Sequence, residues 1–111
     1  MKRQQVRQGD VFLRPTTAQP TVAAKPLDNG RVILAYGEVT GHAHTVVDAE
    51  VDTAIPPAAL FEEADGTVLL LVDRPCALTH QEHGTIMLAP GAYRVTRQRE
   101  YSPEAIRNVS D

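Results

Sequence analysis

The four histidines of this 111-residue chain fall into two pairs, and their types and spacing could support metal chemistry. His42 and His44 stand in the string TGHAHTVV, and His80 and His83 stand in LTHQEHGTIML. Neutral imidazole is the commonest protein ligand for zinc, copper, iron and nickel, and a site needs three or four donors that converge on one point. The pairs predict a site for a divalent ion (Zn, Ni, Fe or Mn), or an acid/base pocket, provided that the fold brings them together.

The first pair has the spacing of neighbours on one face of a β-strand. Side chains on a strand alternate between its two faces, so His42 and His44 point the same way. The second pair is spaced by three residues and would fall on opposite faces of a continuous strand. Its imidazoles oppose each other if Gln81 and Glu82 form the two-residue turn of a hairpin, or a wider irregular turn, and we predict such a turn here.

Carboxylates lie beside both pairs. Glu82, between the histidines of the second pair, is predicted to act as an oxygen ligand or as a general base at the metal. An exposed loop glutamate is the alternative interpretation. Asp48 and Glu38 flank the first pair and could orient a ligand imidazole by hydrogen bonding to it.

Two arginines near the end of the chain form a candidate substrate site. Arg97 and Arg99 share one face of a strand, and guanidinium groups bind carboxylate or phosphate through two parallel hydrogen bonds. We therefore predict a small anionic ligand beside the metal. The alternative is that these arginines form salt bridges with Glu100, Glu104 and the acidic middle of the chain.

The composition indicates one folded domain over residues 1–111. Hydrophobic residues make up 42% and charged residues 23%, which is typical of a globular chain with a single core. The net charge of −3 argues against binding to nucleic acid or to an anionic membrane. Residues 48–65 hold six acidic side chains and no basic one, while several basic residues lie near each end of the chain. This uneven distribution of charge favours an anionic ligand near the ends, or self-association of the chain.

The single cysteine and the start of the chain indicate a reducing compartment. Cys76 has no partner for an intrachain disulfide, and a buried structural thiol is its expected role. The start, MKRQQVRQGD, lacks the apolar run of a signal peptide, and the longest apolar stretch, TVLLLV, is too short to cross a bilayer. We therefore expect a cytoplasmic protein.

The elements that must position the histidines are short strands divided by turn residues. Strands are predicted at residues 10–14, 31–36, 42–47, 59–63, 67–73, 77–79, 85–89 and 92–99. A Gly-containing loop at residues 64–66 predicts a hairpin between the fourth and fifth of them.

Only the tail predicts a short helical turn, with Ser102 as its cap and Pro103 in its first turn. Eight short strands predict an all-β domain, either a small β-barrel or a sandwich, because closure or double layering removes exposed strand edges. A homodimer is the expected assembly.

Two strings resemble motifs of a known family. His42-x-His44 followed by Asp48, and the later string GTIMLAPG at residues 84–91, resemble the two motifs of the cupins, small β-barrels that bind a divalent metal inside the barrel. The resemblance covers roughly residues 37–95 and implies His42, His44 and Asp48 as metal ligands. Cupins carry a glutamate where this chain has Asp48, and a histidine after the Pro-Gly turn that this chain lacks. The whole chain also resembles short uncharacterised bacterial and phage proteins with the strings GEVTGHAH, HxEH, PGxYxV and QREY, a resemblance that implies no activity.

Two functions from different classes follow from the sequence. The first is a metal-binding β-domain in which the four histidines hold the ion, and which acts as an enzyme if one coordination position stays open. The second is an interaction or assembly module without chemistry, whose histidines are structural and whose charged patches mediate self-association.

Overall fold

The computed structural model describes residues 3–28, 31–36, 42–48 and 56–97, and every structural statement below refers to these residues. Nine β-strands and no helix occur in this part of the chain. The strands are β1 (Val6–Gln8), β2 (Val11–Pro15), β3 (Val32–Tyr36), β4 (Ala43–Asp48), β5 (Ala58–Glu62), β6 (Val68–Val72), β7 (Cys76–Thr79), β8 (Ile86–Leu88) and β9 (Gly91–Arg97).

The strands form two antiparallel sheets that face each other as a sandwich. One sheet has five strands in the order β1-β2-β9-β6-β5, and the other has four in the order β3-β4-β7-β8. Within the described ranges no hydrogen-bonded ladder joins the two sheets, so the sandwich is not closed into a barrel. The predicted all-β architecture is confirmed, in its sandwich form.

The core fills the space between the sheets with the inward side chains of alternating strand positions. Leu13, Leu70, Leu78 and Leu88 are at most 1% exposed, and each such leucine stabilises the fold by about 1.5–3 kcal/mol relative to an exposed one. Tyr93 is equally buried, and its hydroxyl donates a 2.6 Å hydrogen bond to the carbonyl of Ala89. The polar end of this ring is therefore satisfied inside the core.

Several predicted elements are present with small shifts of their ends. The predicted hairpin is confirmed, with Ala58 of β5 opposite Val72 of β6 and Gly66 at a positive φ of 92° in the loop. Strand β1 was not predicted, because its three residues are too few for an alternating pattern to be visible. The helical turn predicted at Ser102 and Pro103 lies outside the described residues. No helix in the described ranges is long and apolar enough to cross a membrane.

Candidate metal centre

The four histidines converge at one end of the sandwich. His44 belongs to β4, His42 lies immediately before it, and the other two lie between β7 and β8. The ring centroid of His80 is 4.4 Å from that of His44, 4.6 Å from that of His83 and 5.7 Å from that of His42. We call these four residues the histidine cluster. The fold thus brings together two pairs that are far apart in the sequence.

The connection between β7 and β8 is the wider, irregular form of the predicted turn. Register pairs Leu78 with Ile86, so residues 80–85 form the connection, and not Gln81 and Glu82 alone. Neither residue favours the positive φ that the tightest hairpin turns require, which explains the wider loop. The Oε1 atom of Gln81 accepts a 2.9 Å hydrogen bond from the backbone N–H of Ala43, and this bond ties the loop to β4.

Gln8 fixes the orientation and the proton position of His44. Both side chains are 2% exposed, and Gln8 Oε1 lies 2.8 Å from His44 Nδ1. The Nε2 group of Gln8 donates to the carbonyls of Leu78 and Gly84, at 2.9 Å each, so its Oε1 must be the acceptor toward His44. Nδ1 of His44 therefore carries a proton, and in the neutral ring Nε2 carries the free lone pair.

Asp10 faces that lone pair. Its Oδ1 atom lies 3.4 Å from His44 Nε2, while its Oδ2 atom accepts a 2.7 Å hydrogen bond from Arg97 Nε. Burial alone would raise the pKa of Asp10, but the hydrogen bond and charge of Arg97 outweigh it and lower that pKa. A carboxylate oxygen and an unprotonated ring nitrogen repel each other, so this geometry favours a proton or a cation between them.

Electrostatics favour neutral rings in the cluster. Burial lowers the pKa of His44, and repulsion from a charged His80 lowers it further. Burial likewise lowers the pKa of His80, and repulsion from His83 and His42 adds to the effect. Neutral imidazole is the form that binds metal ions, so burial, together with the repulsion between the rings, favours the metal-binding form of His44 and His80.

The turn before β2 brings the backbone into contact with the cluster. Gly9 has a positive φ of 60°, and a Cβ placed on it would lie 2.7 Å from His83 Nε2 and 3.3 Å from His44 Cε1. These two ring atoms therefore flank the same point. A side chain at position 9 would displace at least one of them.

Glu82 lies at the open side of the cluster. Its side chain is 61% exposed, and its Oε2 atom lies 3.4 Å from Nδ1 of His42, whose side chain is 22% exposed. The backbone N–H of Glu82 donates a 3.0 Å hydrogen bond to Nδ1 of His80, so the neutral His80 ring carries its proton on Nε2.

The side chains of the cluster do not form a finished metal site. In the described ranges, no three or more His, Cys, Asp or Glu side chains are arranged so that they could hold a metal ion together.

Of the two predicted substrate-binding arginines, the structure describes Arg97. Arg97 lies beside the cluster, but it is paired with Asp10 and also donates a 2.9 Å hydrogen bond to the carbonyl of Tyr36. Arg99 and Glu38 lie outside the described residues.

Asp48, which the cupin resemblance implied as a ligand, is not part of the cluster. It lies four residues beyond His44, about 13 Å along a strand, and its Oδ2 atom accepts hydrogen bonds of 2.6 and 3.0 Å from Arg74. That implied role is wrong because Asp48 stands at the other end of β4.

Gln8 and Asp10 contact the cluster although the sequence patterns did not point to them. The sequence feature that could have identified them is the dipeptide Gly9-Asp10, which is typical of two-residue hairpin turns. In the structure this dipeptide forms the loop between β1 and β2, where Gln8 pairs with Val11. Recognising that hairpin would have placed both side chains at its tip. It would not have shown that the tip touches β4 of the other sheet.

Comparison with known proteins gives a family but no activity. A family model described as a domain of unknown function (DUF8820) matches residues 7–98. No curated protein and no solved structure matches the chain. The matched range includes all four histidines and both Gln8 and Asp10.

Proposed function

The chain belongs to the DUF8820 family, a domain of unknown function, and from that premise we propose that it binds a divalent transition metal through the histidine cluster. Four imidazoles from two distant segments meet at one point of the fold. Imidazoles with a carboxylate at their side form a donor set that suits zinc, nickel, iron or manganese.

The observation that carries the proposal is the contact of His44 with Gln8 and Asp10. Gln8 holds the proton of His44 on Nδ1 and leaves Nε2 free, which is how a hydrogen-bonding partner usually prepares a metal-binding histidine. Asp10 Oδ1 lies 3.4 Å from that nitrogen. A cation between these two atoms would remove their mutual repulsion and gain a ligand from each.

We propose His44, His83 and Asp10 as the first ligands. Nε2 of His83 and Cε1 of His44, the ring atom next to Nε2, flank the space in front of Gly9. His80 can join them through Nε2 once its Nδ1 gives up the hydrogen bond from Glu82 and takes a proton. Metal binding by His80 therefore includes a change in the loop at residues 80–85.

A small ligand would reach the metal from the exposed side of the cluster, where Glu82 lies. A bound metal ion would act there as a Lewis acid. Glu82 is 61% exposed beside His42 and is our candidate for the proton acceptor at such a ligand. Arg97 holds Asp10 in place through its Oδ2 atom, so we assign it to positioning Asp10 and not to binding the predicted anionic substrate.

The test is a metal titration of protein purified without an affinity tag and stripped with a chelator. Zinc, nickel, iron(II) and manganese are each added, and binding is followed by calorimetry and by the NMR signals of the histidine ring nitrogens. We expect one equivalent of at least one metal to bind, with the signals of His44 Nε2 and His83 Nε2 shifted and that of His44 Nδ1 still protonated.

Asp48→Asn is the matched control, because it changes a largely buried carboxylate of the same strand that faces Arg74 and not the cluster. Unchanged ring signals with all four metals would refute the proposal and favour an assembly module. So would binding that persists when His44 and His83 are both replaced by alanine.

A further inference from the structure

A second concave site lies between β3 and β5, the edge strands at the open side of the sandwich. The cavity has a volume of about 190 Å³. Its apolar floor includes Val32 and Leu60, which are 3% and 9% exposed, together with Ile33. A cavity of about 150 Å³ can take up one benzene ring, so this one fits a single ring or a branched aliphatic chain.

Two large apolar side chains are left exposed at the rim of this cavity. Leu27 is 43% exposed and Tyr36 is 53% exposed, and both line it. Exposed apolar side chains gathered around a concave surface with an apolar floor are typical of a ligand site.

Two charges of opposite sign stand at the same rim. Asp28 and Arg31 exchange two backbone hydrogen bonds of 2.9 and 3.0 Å, so they are directly opposed, with Cα atoms about 5.5 Å apart and side chains on one face. Neither side chain makes a hydrogen bond or ion pair within the described part of the chain, with the other or with any neighbour. Lys25, a further cation at the rim, is in contrast paired with Glu62 at 3.2 Å.

We propose that this cavity binds a free α-amino acid with an apolar side chain of about the size of leucine, methionine or phenylalanine. The guanidinium of Arg31 receives the α-carboxylate and the carboxylate of Asp28 receives the α-ammonium group. The side chain of the ligand lies on Val32 and Leu60 beneath Leu27. A simple carboxylate would leave Asp28 facing an anion without a partner, which is why a zwitterion fits better than an acid alone.

The cavity is a separate site from the histidine cluster. None of the four histidines lines the cavity, although β3 pairs with β4 and places Ala35 opposite His44. Binding is therefore measured on chelator-treated protein, so the result stands whether or not the histidine cluster binds a metal ion.

The experiment compares phenylalanine with three analogues by calorimetry and by amide NMR shifts. The analogues are 3-phenylpropionate, which lacks the ammonium group, phenethylamine, which lacks the carboxylate, and N-acetylphenylalanine, in which the ammonium is replaced by an amide. We expect phenylalanine to bind and to shift the amide signals of Val32, Ile33 and Leu60. Each analogue should bind about tenfold or more weakly, because each loses a charge-assisted contact.

Variants of the protein give the reciprocal test. Arg31→Gln and Asp28→Asn should each weaken phenylalanine binding by about tenfold or more. Arg94→Gln, which removes an exposed arginine of β9 that does not line the cavity, should leave the affinity unchanged. If 3-phenylpropionate binds as tightly as phenylalanine, or if no ligand shifts those amides, the proposal is wrong. The analogue series uses the unmodified chain, so it decides the question even if a variant fails to fold.

Discussion

The two ends of strand β4 each hold a polar group within the sandwich, but they satisfy it differently. At one end Asp48 accepts two hydrogen bonds from Arg74, and the thiol of the neighbouring Cys76 has a pKa raised to about 11 by burial and by the charge of Asp48. At the other end His44 lies among three further imidazoles and one carboxylate that Arg97 also contacts.

The difference shows which buried polar groups are structural. The charge of Asp48 is matched by a guanidinium within the fold, and the thiol of Cys76 stays protonated and unreactive near neutral pH. In the histidine cluster, burial lowers the pKa of His44 and of His80, and repulsion from neighbouring imidazoles lowers both further. Neighbouring titratable groups with shifted pKa values are typical of a functional site.

Removing the central ligand should give the largest effect. We expect His44→Ala to abolish stoichiometric metal binding, because it removes the nitrogen that Gln8 orients and that Asp10 faces. Metal analysis after gel filtration measures this, with Asp48→Asn as the control at the other end of the strand. Full metal content in His44→Ala would mean that the other three histidines suffice, and the two ends of β4 would then differ less than proposed.

Removing the residue that orients His44 should give the next largest effect. Gln8→Leu keeps a side chain of similar size in the buried site but leaves Nδ1 of His44 without its acceptor. We expect metal affinity to fall by about 10- to 100-fold, as for other partners that orient a ligand histidine. Competition with a coloured chelator measures the affinity. An unchanged affinity would show that the proton position of His44 does not control binding.

The Asp48 end should respond in stability and not in metal affinity. Arg74→Gln removes a cation whose side chain is 36% exposed, so solvent weakens the pair, and we expect unfolding to become easier by about 1.5 kcal/mol. Urea denaturation of the metal-free protein measures this loss. A drop in metal affinity of the same size as that of Gln8→Leu would indicate that the two ends are coupled through β4.

The pH dependence of stability should separate the two ends with the smallest effect. Folding lowers the pKa of His44 and His80 from 6.5. Below about pH 6.5 these histidines therefore bind more protons in the unfolded chain than in the folded one, and the stability of the fold decreases as the pH decreases. Folding raises the pKa of Cys76 from 9.0 to about 11, so stability falls as pH rises above about 9.

Urea denaturation of metal-free protein from about pH 5 to pH 10 measures both slopes. His44→Gln should flatten the acidic slope and leave the alkaline one unchanged. The electrostatic description of the cluster fails if the acidic slope is the same in both proteins.

The sequence predicted the strands better than it predicted the site. Alternating apolar residues made most strands visible, and the Gly-containing loop identified the hairpin of β5 and β6. The i, i+2 spacing of His42 and His44 predicted that they share a face, since strand geometry is local.

Contacts between distant segments could not be read in the same way. Asp10 reaches His44 because the β1–β2 hairpin of one sheet meets β4 of the other, and no local pattern encodes that packing. The loop at residues 80–85 brings the ring centroids of His80 and His83 within 4.6 Å of each other through a wide, irregular turn. The sequence offered that turn as one of two forms, and no local pattern decided between them.

Gln8 gives the site a mechanical role in the sandwich. It is the last residue of β1, an edge strand that pairs with β2 over three residues, yet its amide holds Leu78 and His44 of the opposite sheet. Edge strands open readily in amide hydrogen exchange, and β1 can leave β2 only by releasing the ring of His44. A ligand bound to His44 should therefore slow the separation of β1 from β2. The hydrogen-exchange rate of the β1 amides would then report whether the site is occupied.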